Sequence, residues 1–131
     1  MIARIALPLL LALPGAALAD ETWHTDGGEA VYEADIGEIA VFSIPGETGR
    51  INLYLEGLGG NYDDRSAHRG YWIGPGPGEC SAALGGPDGR TSDQWGRVVL
   101  MFDRAAAPTG WTALLGRCLD EPADPVRADL Y

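Results

Sequence analysis

The sequence contains no lysine, and only two histidines and two cysteines occur among its 131 residues. Nine basic residues, all of them arginine, stand against 19 acidic residues, so the formal net charge is −10. Nucleic acids and anionic membranes are bound through an excess of Lys and Arg, and this balance argues against both as partners. Two histidines without a free cysteine are a poor ligand set for zinc. We therefore predict no metal site and no cofactor.

A long apolar run occurs only at the N-terminus. Arg4, an apolar stretch after it and an A-x-A cleavage pattern ending at Ala19 are typical of a secretory signal. We expect residues 1–19 to be a signal peptide and residues 20–131 to form one domain. No other stretch approaches the roughly 18 apolar residues of a membrane span. Because an all-arginine basic set with abundant Ala, Gly and Pro is typical of a GC-rich bacterium, we expect a periplasmic protein, or alternatively a secreted one.

The two cysteines, Cys80 and Cys118, do not form a C-x-x-C pair. In an oxidising compartment two thiols most often form one disulfide, so we predict a Cys80–Cys118 bridge. Two buried free thiols, or a pair of metal ligands, are the alternatives.

Signals for helices are also scarce. The chain has 19 Gly and nine Pro, and these interrupt it about every ten residues, which is too often for long helices. Short segments rich in aromatic and β-branched residues lie between them and indicate strands. The clearest alternates Ile51, Leu53 and Leu55 with polar neighbours, as a half-buried antiparallel strand does. The predicted strands are residues 21–25, 29–35, 38–44, 50–56, 69–73, 79–84, 95–103 and 109–118.

About eight short strands without a helical crossover favour an all-β, antiparallel up-and-down meander that closes into a small barrel. A two-sheet β-sandwich is the alternative. Residues 38–44 and 95–103 are apolar on both faces, which indicates a covered second face. We expect the acidic, Pro-containing segment 119–131 to be a C-terminal tail on the surface.

The opening Glu21-Thr22-Trp23-His24-Thr25 resembles the first strand of calycin-type barrels, the lipocalin and avidin group. Those barrels begin with a Gly-x-Trp element whose Trp plugs the barrel floor, and in many of them an Arg or Lys of the last strand packs across it. The resemblance implies a structural pair of Trp23 and Arg117. Glu21 replaces the Gly, and the lipocalin Thr-Asp-x-Tyr stretch is missing. The resemblance therefore implies a fold and no particular ligand.

The histidines are the first candidates for chemistry. A His oriented by a carboxylate can act as a general base, and His68 follows Asp63 and Asp64, while His24 precedes Asp26. The chain has no G-x-S-x-G elbow and no Cys–His pair with a free Cys. We assign no catalytic residue, and a small hydrolase is the least favoured function.

The loop at residues 88–93 is the next candidate, because it places Asp88 and Asp93 in a Gly-containing turn of the kind that hard cations prefer. It lacks the dense alternating acids of a calcium loop, and Asp-Gly is first of all a turn signal. We interpret it as a turn.

The tryptophans are the most suggestive feature. Aromatic residues in strands usually lie in the core, but in a small barrel some line the mouth, where they form an apolar cup with a polar rim. Trp72 and Trp95 stand beside the two largest loops, and Tyr71, Tyr62 and Arg69 share that neighbourhood. We predict these five residues as contacts for a ligand or partner.

These observations favour a non-enzymatic binding protein for a small apolar or amphipathic ligand, with an open cavity lined by Trp and Tyr. The alternative is an acidic interaction or inhibitor module for a basic protein, since charge complementarity raises association rates. That alternative predicts a filled barrel with Asp63 and Asp64 on a protruding loop. The sequence leaves the oligomeric state open.

Overall fold

The computed structural model describes residues 21–131, so the predicted signal segment 1–19 lies outside the described residues. No helix in this part is long and apolar enough to cross a membrane. The strands are β1 (Thr22–Thr25), β2 (Gly28–Ile36), β3 (Ile39–Pro45), β4 (Arg50–Glu56), β5 (Ala67–Ile73), β6 (Leu84–Gly85), β7 (Thr91–Ser92), β8 (Trp95–Phe102), β9 (Trp111–Leu115) and β10 (Asp124–Ala128).

Eight of these strands form one antiparallel sheet in the order β1-β2-β3-β4-β5-β8-β9-β10. The two edge strands meet at a single bridge between His24 and Asp129, where two backbone hydrogen bonds of 2.8 Å join them. The sheet is therefore nearly closed into a barrel. The predicted all-β meander is confirmed, and the two-sheet sandwich does not form.

Three aromatic side chains fill the middle of the barrel, and we call them the aromatic core. The ring centroids of Trp23, Phe42 and Trp111 lie 5.1 to 5.8 Å apart, and all three side chains are fully buried. Trp23 Nε1 donates a hydrogen bond of 2.8 Å to the Thr109 carbonyl. Tilted and edge-to-face rings at these separations add attraction beyond their buried area. The interior is closed at this level.

The loop between β4 and β5 closes one end of the barrel, which we call the floor. Its Arg65 is fully buried, and the guanidinium lies 4.2 Å from the Tyr62 ring centroid and 4.8 Å from the Phe102 ring centroid. Arg65 Nη2 pairs with Glu21 Oε1 at 3.0 Å. The cation is thus held by two aromatic rings and a carboxylate, which reduce the cost of its burial, while its Nη1 is buried without a hydrogen-bond partner among residues 21–131.

The structure does not bring Trp23 and Arg117 together. Trp23 lies in the aromatic core, whereas Arg117 is 65% exposed and its Nη1 lies 3.3 Å from Glu79 Oε2. Because β9 ends at Leu115, Arg117 lies beyond the sheet and does not enter the interior. The buried floor cation comes from a loop, Arg65, and not from the last strand.

The predicted strand at residues 79–84 is wrong. Only Leu84 of this segment joins a strand, β6, which pairs with β7 in a separate two-stranded hairpin. The segment follows a Gly-Pro run and exposes Ser81, Ala82 and Ala83, so it has no apolar face to turn toward a core.

The eighth barrel strand comes instead from the segment 119–131, which is therefore not a surface tail throughout. β10 pairs with β9, with Val126 opposite Ala113 and Ala128 opposite Trp111. Its Pro125 is tolerated because backbone N–H groups alternate sides along a strand. Asp129, four residues after Pro125, donates its N–H toward β1. The nitrogen of Pro125 therefore faces the same side, which is the nearly open edge of the sheet, where proline is allowed.

The chain between β5 and β8, residues 74–94, folds back over the outside of the barrel, and we call it the excursion. It covers a second apolar cluster built on Val41, Tyr54 and Ile73. Tyr54 Oη donates to the Asp88 carboxylate at 2.9 Å, and a Cβ on Gly86 would lie 2.6 Å from the Tyr54 ring. This contact explains why β3 is apolar on both faces, whereas the outer face of β8 is not covered in this way, since its Met101 is 56% exposed.

The predicted disulfide is confirmed, and it fastens the excursion to the segment after β9. The Cα atoms of Cys80 and Cys118 lie 5.5 Å apart, and the two residues are separated by 38 positions in sequence. Closing a loop of this length stabilises the folded chain by about 4 kcal/mol in the chain-entropy model.

We expect Arg65→Ala to lower the free energy of unfolding by about 3 kcal/mol, because it leaves a void and removes the partner of Glu21. Arg65→Met, which keeps the volume, should cost clearly less. Urea unfolding followed by tryptophan fluorescence measures both.

Arg117→Ala is the matched control, since it removes the same group from an exposed position. It should change stability by less than about 0.5 kcal/mol. An equal loss in the Arg65 and Arg117 variants would contradict the assignment of the floor cation.

Candidate functional site

A cavity of about 520 Å³ opens at the end of the barrel opposite the floor. It lies where β3, β5 and β9 end and where β4, β8 and β10 begin, since neighbouring strands are antiparallel. Small-molecule sites typically occupy about 300–1,000 Å³. Its apolar base is formed by Ile44, Ile51, Trp72, Leu115 and Val126.

Trp72 is the largest side chain of this base. It points inward from β5 and is almost fully buried, and its Nε1 donates a hydrogen bond of 2.7 Å to the Gly116 carbonyl. Because the only polar atom of the indole is already bonded, the ring presents an apolar surface to anything that enters the cavity. The position of Trp72 therefore sets the depth of the cup.

Two glycines allow Trp72 to occupy this position. A Cβ on Gly96 would lie 1.8 Å from the Gly116 carbonyl oxygen and 2.5 Å from Trp72 Nε1. Gly116 N–H donates to the Arg97 carbonyl at 2.8 Å and so holds the end of β9 against β8. Only a residue without a side chain fits at Gly96.

Sequence reasoning missed this glycine pair. Gly96-Arg97 repeats the dipeptide Gly49-Arg50 before an apolar run, which indicates turn chemistry, whereas Gly116-Arg117 ends a predicted strand. The signal that identifies Gly96 is its place inside a regular strand, where glycine often marks a close approach of another backbone.

The excursion forms one wall of the cavity. Its Gln94 Oε1 accepts a hydrogen bond from the Gly76 N–H, and Asp93 Oδ1 accepts one from the Gly78 N–H, both at 2.7 Å.

The two half-cystines also line the cavity, so the disulfide stands at its rim. Cys118 adopts a left-handed φ of 53°, which is uncommon for a non-glycine residue, and its N–H donates to the Trp95 carbonyl. The wall is thus fixed by hydrogen bonds from backbone N–H groups and by a covalent bond.

The structure brings two of the five predicted contact residues to this cavity. Trp72 lies at its base, and Trp95 lies at its edge, where Nε1 donates to the Ala82 carbonyl at 2.7 Å. Tyr71 faces outward and packs against the second apolar cluster. Tyr62 belongs to the floor at the other end. Arg69 is exposed on the outer face of β5, where it borders a smaller hollow of about 280 Å³.

The histidines do not form a catalytic arrangement within residues 21–131. His68 is buried, with Nδ1 2.8 Å from the Glu56 carbonyl and Nε2 2.7 Å from the Asp64 carbonyl. Ser66 donates its hydroxyl to the Asp64 carboxylate, and His24 is exposed on β1. The ring nitrogens of His68 therefore hold the floor loop against β4.

In the part of the chain that the structure describes, no three His, Cys, Asp or Glu side chains converge on a point that could hold a metal ion. Asp88 accepts hydrogen bonds from Tyr54, Asn52 and the Arg90 N–H. Since Asp93 accepts from Gly78, both carboxylates of the 88–93 loop have structural partners.

We expect Gly96→Ala to lower the free energy of unfolding by about 2 kcal/mol or more, because the new methyl group forces Trp72 and Gly116 apart. The near-ultraviolet circular dichroism of the indoles should change with it. Gly85→Ala is the matched control, since its Cβ would make only an ordinary contact, 3.5 Å from Thr91 Oγ1. A Gly96→Ala protein with unchanged spectrum and stability would refute the close approach.

The pKa of Tyr54 is raised to about 12, mainly by burial and also by the Asp88 carboxylate, while the Asn52 amide partly offsets the rise. The ordinary value is 10.0, so the folded pKa lies above the unfolded one. The resulting stabilisation is complete below pH 10 and is lost as the pH rises through 12. We expect Asp88→Asn to lower the pKa of Tyr54, and a pH titration of phenolate absorbance measures this change. Tyr54→Phe identifies which transition belongs to Tyr54. Asp63→Asn is the control and should leave the pKa of Tyr54 unchanged.

Comparison with models of protein families, with curated proteins and with solved structures finds no match for this chain. Any functional assignment therefore depends on the geometry of the barrel and its cavity.

Proposed function

We propose that the chain is a non-enzymatic binding protein that holds a small apolar or amphipathic ligand in the cavity opposite the floor. The observation that carries the proposal is a cavity of about 520 Å³ with an apolar base and a polar rim. Cups of this kind are the usual form of a small-ligand site, in which apolar walls supply affinity and a few polar groups orient the ligand.

The barrel is asymmetric in a way that favours this function. The floor is sealed by Arg65 and by the fully buried Leu58, and the aromatic core fills the middle. At the other end the inward-facing side chains stop at Trp72, Ile44 and Ile51, and the space above them is open. A ligand would displace water chiefly from Leu115 and Val126, the half-buried apolar side chains of the lining, which is favourable in proportion to the apolar area covered.

The floor loop gives less support to a protein-inhibitor function. Asp63 is exposed there, but Leu58 and Arg65 of the same loop are buried under the barrel. A loop anchored in this way is a cover and does not protrude. We therefore favour a small-molecule ligand over a basic protein partner.

We also propose that the protein acts in the periplasm. The signal-like pattern ending at Ala19 supports export. The Cys80–Cys118 disulfide is consistent with an oxidising compartment.

The test is a titration with N-phenyl-1-naphthylamine, a neutral apolar dye whose fluorescence rises when it leaves water. The protein should bind it at one site. Leu115→Trp places a bulky ring in the cavity and should weaken binding by about tenfold or more, as the loss of roughly 1.4 kcal/mol would do.

Leu114→Trp is the matched control, because it makes the same substitution one residue away on the outer face, where Leu114 is 38% exposed. It should bind the dye like the parent protein. Equal weakening in both variants, or the absence of saturable binding to the parent, would refute the proposed function.

A further inference from the structure

We infer that the ligand is a cationic amphiphile, with an apolar body that enters the cup and an ammonium group that remains at the rim. This inference rests on the proposed function and adds the chemical class of the ligand. It follows from the charges of the side chains that border the cavity.

Three carboxylates stand on the rim, namely Glu47 in the turn between β3 and β4, Glu79 in the excursion and Asp124 at the start of β10. Glu79 is paired with Arg117 at 3.3 Å. Within residues 21–131 neither Glu47 nor Asp124 has a side-chain hydrogen bond or an ion pair, and both are exposed. The rim therefore carries two carboxylates with no partner inside the protein.

The two indole N–H groups and the arginine that line the cavity already have partners within the protein. The indole N–H of Trp72 donates to the Gly116 carbonyl, and that of Trp95 donates to the Ala82 carbonyl. Arg117, the one cation among the described residues that line this cavity, forms an exposed ion pair with Glu79. An anionic head group would meet two unpaired carboxylates and one cation that already has a carboxylate beside it.

The aromatic rings favour a cation as well. Both indoles line the cavity with their polar atoms bonded within the protein, and the half-buried Trp95 exposes a larger fraction of its side chain than Trp72, which is 9% exposed. Indole faces attract ammonium groups, most strongly where water is excluded. The whole sequence has 19 acidic and nine basic residues, so the net charge of the protein favours a cationic ligand over an anionic one.

The test compares three surfactants with the same decyl chain, each below its critical micelle concentration. These are decyltrimethylammonium, zwitterionic decyldimethylamine oxide and decyl sulfate, each used to displace N-phenyl-1-naphthylamine. We expect the cationic compound to bind at least about tenfold more tightly than the anionic one at low salt, and this ratio should shrink at high salt.

The variant that isolates the rim is the double substitution Glu47→Gln with Asp124→Asn. It should reduce the preference for the cation several-fold and leave the affinity for the neutral dye unchanged. Glu56→Gln with Asp63→Asn is the matched control, because it makes the same change in net charge at the exposed floor end. The control should keep the preference.

The outcomes separate the two proposals. Equal affinities for the three compounds, or tighter binding of decyl sulfate, would overturn the cationic ligand and leave the cavity as a site for apolar molecules. A preference that both double variants lose equally would show an effect of net charge and would also overturn the rim as its source. If neither the dye nor any of the three compounds binds, the proposed function itself fails.

Discussion

The width of an eight-stranded barrel determines where this protein has space for a ligand. Side chains alone can fill an interior of that size, so space for a ligand exists only where large side chains are absent. Trp23, Phe42 and Trp111 occupy the middle, and Arg65 seals one end. The cup begins where this filling stops, above Trp72. Its wall is therefore made largely of turns and of the excursion, and the strands supply the base.

Local sequence patterns predict those parts of the fold in which one face of a strand is buried. The alternation at residues 50–56 predicts β4 with the observed first and last residues, because the inward side chains of this strand differ in polarity from their outward neighbours. The pattern fails for β10, in which Pro125 and charged residues obscure the inward Val126 and Ala128. Such a strand is specified by its long-range pairing with β9, and no local window contains that information.

The candidate site is less predictable than the fold. Trp72 and Trp95 could be predicted from their position beside the largest loops, but Tyr62 has a similar neighbourhood and belongs to the opposite end. Glu47 and Asp124 lie far apart in sequence and border the same cavity only because the end of β3 and the start of β10 lie at the same end of the barrel. The floor cation shows the same limit, since the resemblance to calycin-type barrels implies Arg117, whereas the buried arginine at the floor is Arg65, which comes from a loop and lies over Tyr62 and Phe102.

The closure of the barrel has a consequence for folding. Most pairs in the sheet join strands that follow one another in the chain, and β5 with β8 spans only the excursion. The bridge between His24 and Asp129 joins the first strand to the last with two hydrogen bonds. Contacts of such high sequence separation carry the largest loop-closure entropy and form late. We expect the hairpins to assemble first, and we expect this seam to be the last part of the barrel to close and the first to open in thermal fluctuations.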